Sequence, residues 1–329
     1  MSPVVEKISG AASAAGAAQP ASSKYDRLIE RAKQVPPVRT IVAHPCDETS
    51  LRGPVEAADV GIIAPIFVGP AEKISAVARA ARINLEKFEI VDTPHSDASA
   101  AKAVELIREG KGEVLMKGSL HTDELMRAVT SSQTGLRTAR RVSHVFVMDV
   151  PTYSETLFIT DAAINIFPDL DAKRDIIQNA IDLWTQVGLG APRVAILSAV
   201  ETVTSKIPST IEAAALCKMS DRGQITGGIL DGPLAFDNAI DPEAARIKGI
   251  TSEVAGRAQI LVVPDLEAGN MLAKNLSFIA KADSAGIVLG ARVPIVLTSR
   301  ADSVRSRMAS CAVAVLYADA RRNSTALKA

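Results

Sequence analysis

DAKRDIIQNAIDLWTQVGLGAPRVAILS, residues 171–198, contains both of the patterns that decide the fold of this chain. Its first part repeats apolar residues at steps of three and four up to Gly188, which is the spacing of a helix that ends at a glycine. Its second part, RVAILS, is a continuous apolar run, as expected for a strand covered on both faces. The stretch therefore predicts a helix that leads into a buried strand.

The same alternation continues along the chain from Lys24 onward. Segments with helical spacing, such as DASAAKAVELIREG (97–110), lie between short apolar runs. Ten of these runs are candidate strands, at 40–44, 65–69, 88–92, 113–117, 144–149, 157–160, 193–198, 227–231, 259–264 and 294–298. Strands and helices that alternate this often predict an α/β architecture built on mainly parallel sheets.

Composition narrows the class of protein. The chain has 329 residues with 37 Lys plus Arg and 37 Asp plus Glu, a balance that argues against a nucleic-acid binder. This length exceeds what one hydrophobic core usually supports, and no apolar run reaches the roughly 18 residues of a membrane span. The isolated Cys46, Cys217 and Cys311 favour a reducing, cytoplasmic setting without structural zinc, and the four histidines show no metal-binding spacing.

The N-terminus differs from the rest of the chain. SGAASAAGAAQPASS, residues 9–23, consists of small residues with little to bury. It has neither the apolar core of a secretory signal nor the arginines of a transit peptide. We interpret residues 1–23 as a flexible linker or tail.

Polar turns follow five of the predicted strands. In open α/β sheets ligands bind beyond the carboxyl ends of strands, often at a helix N-terminus that favours anions. The five turns begin at Lys117, Asp161, Asp231, Pro264 and Thr298. Together they predict the rim of an active site.

The turn within PIVLTSRADS (294–303) presents Ser299 and Arg300 at the end of an apolar run. A cation beside a helix N-terminus opposes the helix dipole, so Arg300 is expected there only if an anion binds. Ser299 and Asp302 have a second possible use, because both residue types cap helices well. Both interpretations remain open for these two residues.

Other turn residues also have two possible uses. Lys117 and Ser119 flank a glycine before a helix, a pattern that suits a phosphate but is also found at solvated turns. His121 is either a helix-start hydrogen-bonder or a catalyst, since histidine often moves protons near neutral pH. Asp231 precedes Gly232-Pro233 and fits a turn as well as a ligand contact.

Three arginines, Arg137, Arg140 and Arg141, precede the strand predicted at 144–149. They form either a solvated basic loop or a phosphate-recognition site, because arginine offers a planar fork of donors. Three familiar signatures do not occur in the sequence: GxGxxG after the first strand, GxxxxGK[ST] and GxSxG. This weakens dinucleotide-binding, P-loop and α/β-hydrolase interpretations.

Six blocks occur in order along this sequence: LMKGSLHTDELMRAV (115–129), TGLRTARRVSHVFVMDV (134–150), ITDAAINIFPDL (159–170), DRGQITGGILDGPLAFDNA (221–239), ILVVPDLEAGNML (260–272) and PIVLTSRADS (294–303). Together these blocks resemble the phosphate acetyl/butyryltransferases. The match is closest to the phosphate butyryltransferase-like branch and to the C-terminal part of bifunctional enoyl-CoA hydratase/phosphate acetyltransferases.

The resemblance implies two three-layer α/β domains with a cleft between them, similar to isocitrate/isopropylmalate dehydrogenases. In this sequence the first domain would comprise 24–143 plus 294–329, and the second 144–293. The family resemblance further implies a homodimer. It implies no cofactor and no metal, since coenzyme A is a substrate or product of the reaction.

The implied reaction is reversible transfer of a short acyl group, acetyl to butyryl, between coenzyme A and inorganic phosphate. By resemblance, Ser299 and Arg300 lie at the reaction centre, where Ser299 donates a hydrogen bond and Arg300 holds phosphate. Arg141 is the best match to a further phosphate-binding arginine, with Arg137 as the alternative. Other expected contacts to phosphate or coenzyme A come from the strand-end turns: Lys117, Ser119, Asp231 and Asn270.

The sequence departs from the family at Ser306. Acetyltransferases carry an aspartate there, seven residues after the reaction-centre serine, as the proposed base for the coenzyme A thiol. Asp302 and His121 are the candidates to replace it. A thiol with a pKa near about 8.5 also ionises readily in positive surroundings without a strong base.

Two other classes of function remain open at this stage. One is a dehydrogenase of similar architecture that oxidises a 2-hydroxy acid with a nicotinamide cofactor and a divalent metal. Its metal would need several aspartates close together, whereas Asp161, Asp231 and Asp237 are scattered. The other is a coenzyme A-binding protein without turnover, suggested by the missing aspartate.

Overall fold

The computed structural model describes residues 23–298 and 303–323, in which eleven strands form one mixed sheet with helices packed against it. The strands are β1 (Val38–Ala43), β2 (Ile63–Gly69), β3 (Glu89–Asp92), β4 (Val114–Lys117), β5 (Ser143–Asp149), β6 (Leu157–Thr160), β7 (Arg193–Leu197), β8 (Ile229–Leu234), β9 (Ile260–Val262), β10 (Asp283–Leu289) and β11 (Ile295–Val296). The helices are α1 (Lys24–Ala32), α2 (Glu48–Asp59), α3 (Ala71–Ala81), α4 (Ser96–Arg108), α5 (Thr122–Thr130), α6 (Leu170–Gln186), α7 (Pro208–Asp221), α8 (Phe236–Ile240), α9 (Pro242–Ile247), α10 (Leu266–Phe278) and α11 (Val304–Asn323). The predicted α/β fold class is confirmed.

The strand order is β3-β2-β1-β4-β11-β10-β5-β6-β9-β7-β8. Parallel pairs make up both ends of this sheet, whereas β11–β10, β10–β5 and β5–β6 are antiparallel. Strands β6, β9, β7 and β8 therefore run antiparallel to β4 and β11. The carboxyl ends of the two groups meet near the middle of β5, because Leu297 bonds to Gly286 opposite Phe146 and Thr160 lies opposite Val145.

The opening stretch folds as its pattern predicts. Helix α6 ends at Gln186, and Gly188 follows with φ +74°, a left-handed conformation that glycine adopts at little cost. The side chain of Trp184 on this helix is buried and packs edge-on against Phe158 of β6, with ring centroids 4.9 Å apart. The helix is thus held to the sheet by its apolar face.

Strand β10 was absent from the ten predicted strands. Its sequence, DSAGIVL, is apolar only in its second half and contains a glycine, so it lacks the continuous run that marks the others. The missing side chain at Gly286 has a steric reason. A Cβ atom there would overlap the carbonyl oxygen of Leu297 and lie 3.0 Å from Nε2 of His144.

The end of β8 also differs from the prediction. The run expected at 227–231 is shifted, and Asp231, Gly232 and Pro233 lie inside β8 rather than in a turn beyond it. The interpretation of this tripeptide as a strand-end turn is therefore wrong. Its polar residues are accommodated because β8 is the edge strand of the sheet.

The C-terminal part of the chain returns to the first half of the sheet. Strand β11 pairs in parallel with β4, with Ile295 opposite Leu115, and α11 packs against α1, α2 and β10. This path agrees with the crossing implied by the family resemblance, whereas the exact domain boundaries stay a prediction. The predicted tail falls outside the described residues except for Ser23, whose hydroxyl caps α1.

Other expectations concern membranes and cysteine chemistry. Among the described helices, none is long and apolar enough to cross a membrane. Cys46, Cys217 and Cys311 are all unpaired thiols.

Candidate active site

A cavity of about 390 Å³ lies against the face of the central strands, and we call it the central cavity. Its floor includes His144 and Phe146, which project from the same face of β5 because they are two positions apart. Its wall includes Thr298, the residue before Ser299. The complete described lining is Lys117, Leu120, His121, Thr122, His144, Phe146, Ala163, Asn270, Lys274, Leu297 and Thr298.

A second cavity of about 540 Å³ adjoins the first, and we call it the side cavity. Phe146 and Lys274 line both cavities. The described lining of the side cavity is Phe146, Ala273, Lys274, Ser277, Phe278, Ala282, Asp283, Ser284, Ser303 and Ser306. Ser299, Arg300 and Asp302 lie outside the described residues, but the chain leaves at Thr298 in one cavity and re-enters at Ser303 in the other.

Ser303 begins helix α11. Its Oγ accepts a hydrogen bond from the backbone N–H of Ser306 at 3.0 Å, and its carbonyl accepts one from Arg307 at 3.1 Å. These are the contacts of an N-cap residue. The capping role considered for Ser299 and Asp302 is therefore performed by Ser303.

Ser306 occupies the position of the family's aspartate. Its side chain is buried, and its Oγ accepts a hydrogen bond from Ser303 Oγ at 3.1 Å. A pair of hydroxyl groups supplies no base. The departure seen in the sequence is thus also a chemical difference in the side cavity.

Lys117 is the last residue of β4 and is buried, with Nζ 3.2 Å from the carbonyl oxygen of Gly118 that it donates to. It lines the central cavity, as expected for a residue at the end of a strand. The chain turns sharply after it, because any side chain at Gly118 would collide with the backbone of Ala43 and His44.

Ser119 has a structural role in the same turn. Its hydroxyl donates to the carbonyl of His44 at 2.8 Å and accepts from the backbone N–H of Cys46 at 3.2 Å. These bonds join the turn after β4 to the turn after β1. Ser119 was predicted to bind substrate, and it is not among the residues that line the central cavity.

His121 stands at the start of α5. Its backbone N–H donates to the carboxylate of Glu124 at 2.7 Å, which confirms the helix-start interpretation. This bond, together with one from Ser96, lowers the pKa of Glu124. The imidazole of His121 is exposed and lines the central cavity, so a catalytic role remains a prediction as well.

Asn270 and Lys274 come from the first turns of α10. Asn270 Nδ2 donates to the carbonyl of Ala162 at 3.2 Å, which fixes this helix against the turn after β6. Lys274 was not predicted, although it is four residues after Asn270 and so lies on the same helix face. That spacing was the signal that would have identified it.

Asp161 organises the turn after β6. Its Oδ1 accepts from the backbone N–H groups of Ala163 and Ile164 at 2.9 and 3.0 Å. Its Oδ2 accepts from the backbone N–H of His144 at 3.1 Å and from both the N–H and the side-chain amide of Asn165, at 3.3 and 2.6 Å. The interpretation of Asp161 as a turn former is therefore confirmed.

His144 is a cavity residue that sequence reasoning missed. It is 1% exposed, and its ring lies edge-on to that of Phe146 with centroids 4.4 Å apart. Its Nδ1 has no hydrogen-bond partner among the described residues. Burial lowers the pKa of this imidazole to about 4, although Asp161 opposes the shift, so the ring is neutral at neutral pH.

The predicted arginines line a third cavity of about 610 Å³, on the far side of the 162–165 turn. Arg141 Nε donates to Asn165 Oδ1 at 2.7 Å, and its backbone N–H donates to Asp175 at 2.9 Å. Arg140 forms an ion pair with Asp182 at 2.9 Å. This arginine cavity also contains Asp169, Asp171 and Asp175, so its positive charge is partly neutralised.

Asp231 is not brought together with the other candidates. It lies in the edge strand β8, where its Oδ1 accepts from the N–H of Gly232 at 2.8 Å. Six strand positions separate β8 from β11, on the order of 29 Å at about 4.8 Å per strand. Within residues 23–298 and 303–323, Asp161, Asp231 and Asp237 do not form a metal-ligand group, and no other such group is present.

The charge of the central cavity favours an anion. Lys117 and Lys274 contribute cations, and no described residue of its lining is a carboxylate. Thr298, Asn270 and His144 add neutral polar groups. Ser299 and Arg300 follow directly in sequence, so the residues predicted for the reaction centre adjoin a site that is positive and concave.

Comparisons with known proteins identify the family of this chain. The profile of the family described as "Phosphate acetyl/butaryl transferase" matches residues 95–315. The chain is 76% identical over 305 residues to a Rhizobium meliloti protein named phosphate acetyltransferase, covering 93% of this chain and 96% of that protein. It is 41% identical over 297 residues to a Clostridium beijerinckii protein named phosphate butyryltransferase, covering 90% and 98%.

A solved structure of a phosphotransacylase is also similar to this chain. The branched-chain phosphotransacylase from Enterococcus faecalis V583 superposes with a TM-score of 0.75 at 28% identity, covering 85% of this chain and 99% of that one. From the family profile and these relatives, the chain belongs to the phosphate acetyl/butyryltransferase family of acyltransferases.

Proposed function

We propose that this protein transfers a short acyl group, acetyl to butyryl, reversibly from coenzyme A to inorganic phosphate. The products are an acyl phosphate and coenzyme A. The observation that carries the proposal is the central cavity, which has lysines but no carboxylate in its described lining and ends at Thr298, next to Ser299 and Arg300. Such a lining suits a phosphate dianion held against a thioester.

The phosphate is held at the positive end of the site. Lys117 and Lys274 supply positive charge, and Arg300 adds a planar fork of donors that matches two phosphate oxygens. Fixing the phosphate beside the thioester converts a bimolecular collision into a reaction within one complex, which is a large part of the rate gain in such sites.

The acyl end is held by the side cavity. Phe146, Ala273, Phe278 and Ala282 give this cavity apolar surface, and serines supply scattered polar contacts. An acyl chain with the adjoining pantetheine arm of coenzyme A has the same mixture of apolar and polar groups. Ser299 donates to the carbonyl oxygen as negative charge develops on it.

Proton balance in this reaction needs no resident carboxylate. An oxygen of hydrogenphosphate attacks the thioester carbon, the C–S bond breaks, and the hydrogenphosphate proton ends on the coenzyme A sulfur. The cations of the central cavity favour the thiolate, which eases its departure. Asp302 and His121 assist proton transfer. Ser306 does not, because its described side-chain hydrogen bond is to another hydroxyl group, that of Ser303.

The proposal includes the setting in which the protein works. It acts as a cytoplasmic homodimer without a cofactor, supported by the family and by three unpaired cysteines. Light scattering of the purified protein tests the dimer, since a monomeric mass would exclude it.

The decisive experiment follows release of coenzyme A thiol from acetyl-, propionyl- and butyryl-CoA, with and without phosphate. Wild type should release thiol only with phosphate, and Arg300→Ala should lose most of this activity. Arg246→Ala is the matched control, because Arg246 is exposed and pairs only with its neighbour Glu243 in its described contacts. Coenzyme A binding without release from any thioester, or reduction of a nicotinamide cofactor instead, would refute the proposal.

A further inference from the structure

We propose that His144 is a catalytic residue, whose imidazole N–H donates a hydrogen bond to the acyl carbonyl oxygen as it becomes negative. This inference rests on the proposed acyl transfer and adds a residue to it. The geometry that points to it is a buried ring on the floor of the central cavity with a nitrogen that meets no protein partner among the described residues.

The unpartnered nitrogen is unusual. Most buried polar atoms in proteins have a hydrogen-bond partner, because leaving one unsatisfied costs about 1–3 kcal/mol. The backbone of His144 is fully used, since its N–H donates to Asp161 and its carbonyl accepts from Thr160 Oγ1 at 2.7 Å. Only the ring lacks a partner, at Nδ1, and His144 is one of the residues that line the central cavity.

A ligand that bonds this nitrogen would relieve the penalty. This hydrogen bond is strongest when the carbonyl oxygen carries negative charge. It therefore stabilises the transition state more than the bound substrate and lowers the activation free energy. His144 therefore has the properties of an oxyanion donor that is already in place before substrate arrives.

The ring suits a carbonyl oxygen better than a phosphate. Burial lowers the pKa of the ring and keeps it neutral, although Asp161 acts in the opposite direction. A neutral imidazole donates one N–H without losing it readily, whereas a phosphate dianion is better held by the lysines. The edge-on ring of Phe146 makes this part of the floor apolar, which strengthens a hydrogen bond formed there.

The step is balanced as follows. A phosphate oxygen forms a bond to the thioester carbon, and the carbonyl π electrons move onto oxygen, where the His144 N–H bonds to them without transferring its proton. The carbonyl then reforms, the C–S bond breaks, and the sulfur receives the proton that hydrogenphosphate brought. His144 ends the cycle unchanged.

The test compares His144→Leu with His144→Asn in the full-length protein, using thiol release from acetyl-CoA. Leucine has a similar size but no donor, so kcat should fall on the order of 10²- to 10³-fold, as for removal of one oxyanion donor. His144→Asn places an amide group near the position of Nδ1, so its kcat should be at least tenfold higher than that of His144→Leu. His95→Asn, an exposed helix-cap histidine outside the site, is the matched control and should retain wild-type kcat.

Stability provides a second readout. Replacing an unsatisfied buried polar group by an apolar one of similar size is neutral or stabilising, so His144→Leu should keep the wild-type melting temperature while losing activity. A merely structural histidine predicts full activity in both variants, and that result would overturn the inference. An increase of KM for phosphate at unchanged kcat would also overturn it, because the ring would then contact phosphate.

Ring nitrogen NMR tests the contact even if His144→Leu does not fold. The chain has only four histidines, so labelled rings can be assigned with the aid of His144→Asn. Addition of acetyl phosphate should shift the His144 ring nitrogens, and unchanged signals at saturation would overturn the inference. Wild type that releases no thiol refutes the acyl transfer itself, whereas an active wild type with an active His144→Leu refutes only the role of His144.

Discussion

Asp161 Oδ2 accepts a hydrogen bond from Asn165 Nδ2 at 2.6 Å, and the other end of this amide accepts one from Arg141. The bond therefore links the turn beside the central cavity to the arginine cavity. Two groups of residues that are separate in sequence are positioned by one buried carboxylate.

Asp161→Asn should destabilise the protein by about 3 kcal/mol, because several N–H groups converge on a carboxylate that an amide replaces only in part. Urea unfolding with wild type alongside measures the loss. Asp237→Asn, at an exposed position of helix α8, serves as the control and should change stability little. Equal stability of Asp161→Asn and wild type would show that the carboxylate does not organise this turn.

Arg141→Lys should raise KM for phosphate about tenfold, because lysine loses the planar fork and the Nε bond to Asn165. Initial rates over a range of phosphate concentrations give the value. Arg140→Lys is matched to it, since Arg140 is already paired with Asp182 and should keep its KM. The same KM in both variants would remove Arg141 from the phosphate site.

Ser277→Leu should reduce kcat/KM for butyryl-CoA at least tenfold more than for acetyl-CoA. The larger side chain occupies part of the side cavity, and one methylene in an apolar pocket already changes specificity by about 1–3 kcal/mol. Parallel assays with the two thioesters provide the ratio. An equal loss for both would place the acyl chain elsewhere.

Ser306→Ala should keep kcat within about twofold of wild type, because the hydroxyl bonds Ser303 and is no base. Ser303→Ala should instead cost about 1 kcal/mol of stability through loss of the N-cap of α11. Kinetics and thermal unfolding of both variants separate the two effects. A large fall in kcat for Ser306→Ala would give this serine a part in the chemistry.

The three cysteines should resist thiol reagents at about pH 8, because thiolate is the reactive form. Burial raises the pKa of Cys46 to about 11 and of Cys217 and Cys311 to about 12. Titration with a chromogenic disulfide should therefore detect no protein thiol in the folded state and all three after unfolding. Rapid labelling of the folded protein would contradict the assigned burial, and would also add background to the assay of coenzyme A release.

The sequence predicts ten strands and helices such as α4 and α6, because their apolar periodicity reports burial directly. It does not reveal β10, whose glycine and polar start are explained by a neighbour far along the chain, the carbonyl of Leu297. Strand direction is likewise invisible in local patterns. The turns after β6 and β9 nevertheless lie beside those after β4 and β11, because the antiparallel strands β10 and β5 bring the four strand ends to the same level.

Three of the predicted site residues, Lys117, His121 and Asn270, line the central cavity because each lies at the end of a strand or in the turn or helix that follows one. Sequence reasoning missed a residue whose proposed role depends on the absence of a hydrogen-bond partner. His144 sits in an apolar run and gives no local signal, since only the packed structure shows that Nδ1 has no described partner. The turn predicted at Asp231 was wrong because the turn-like tripeptide that begins there lies within the edge strand β8.

Gly286 limits how the substrate range of this enzyme can be altered. Backbone lies under the His144 ring, so the floor cannot be raised at Gly286 without moving β10. Variation in acyl length is therefore easier at the side chains that α10 contributes to the side cavity. A library that randomises Lys274, Ser277 and Phe278 would explore that variation with the sheet left intact.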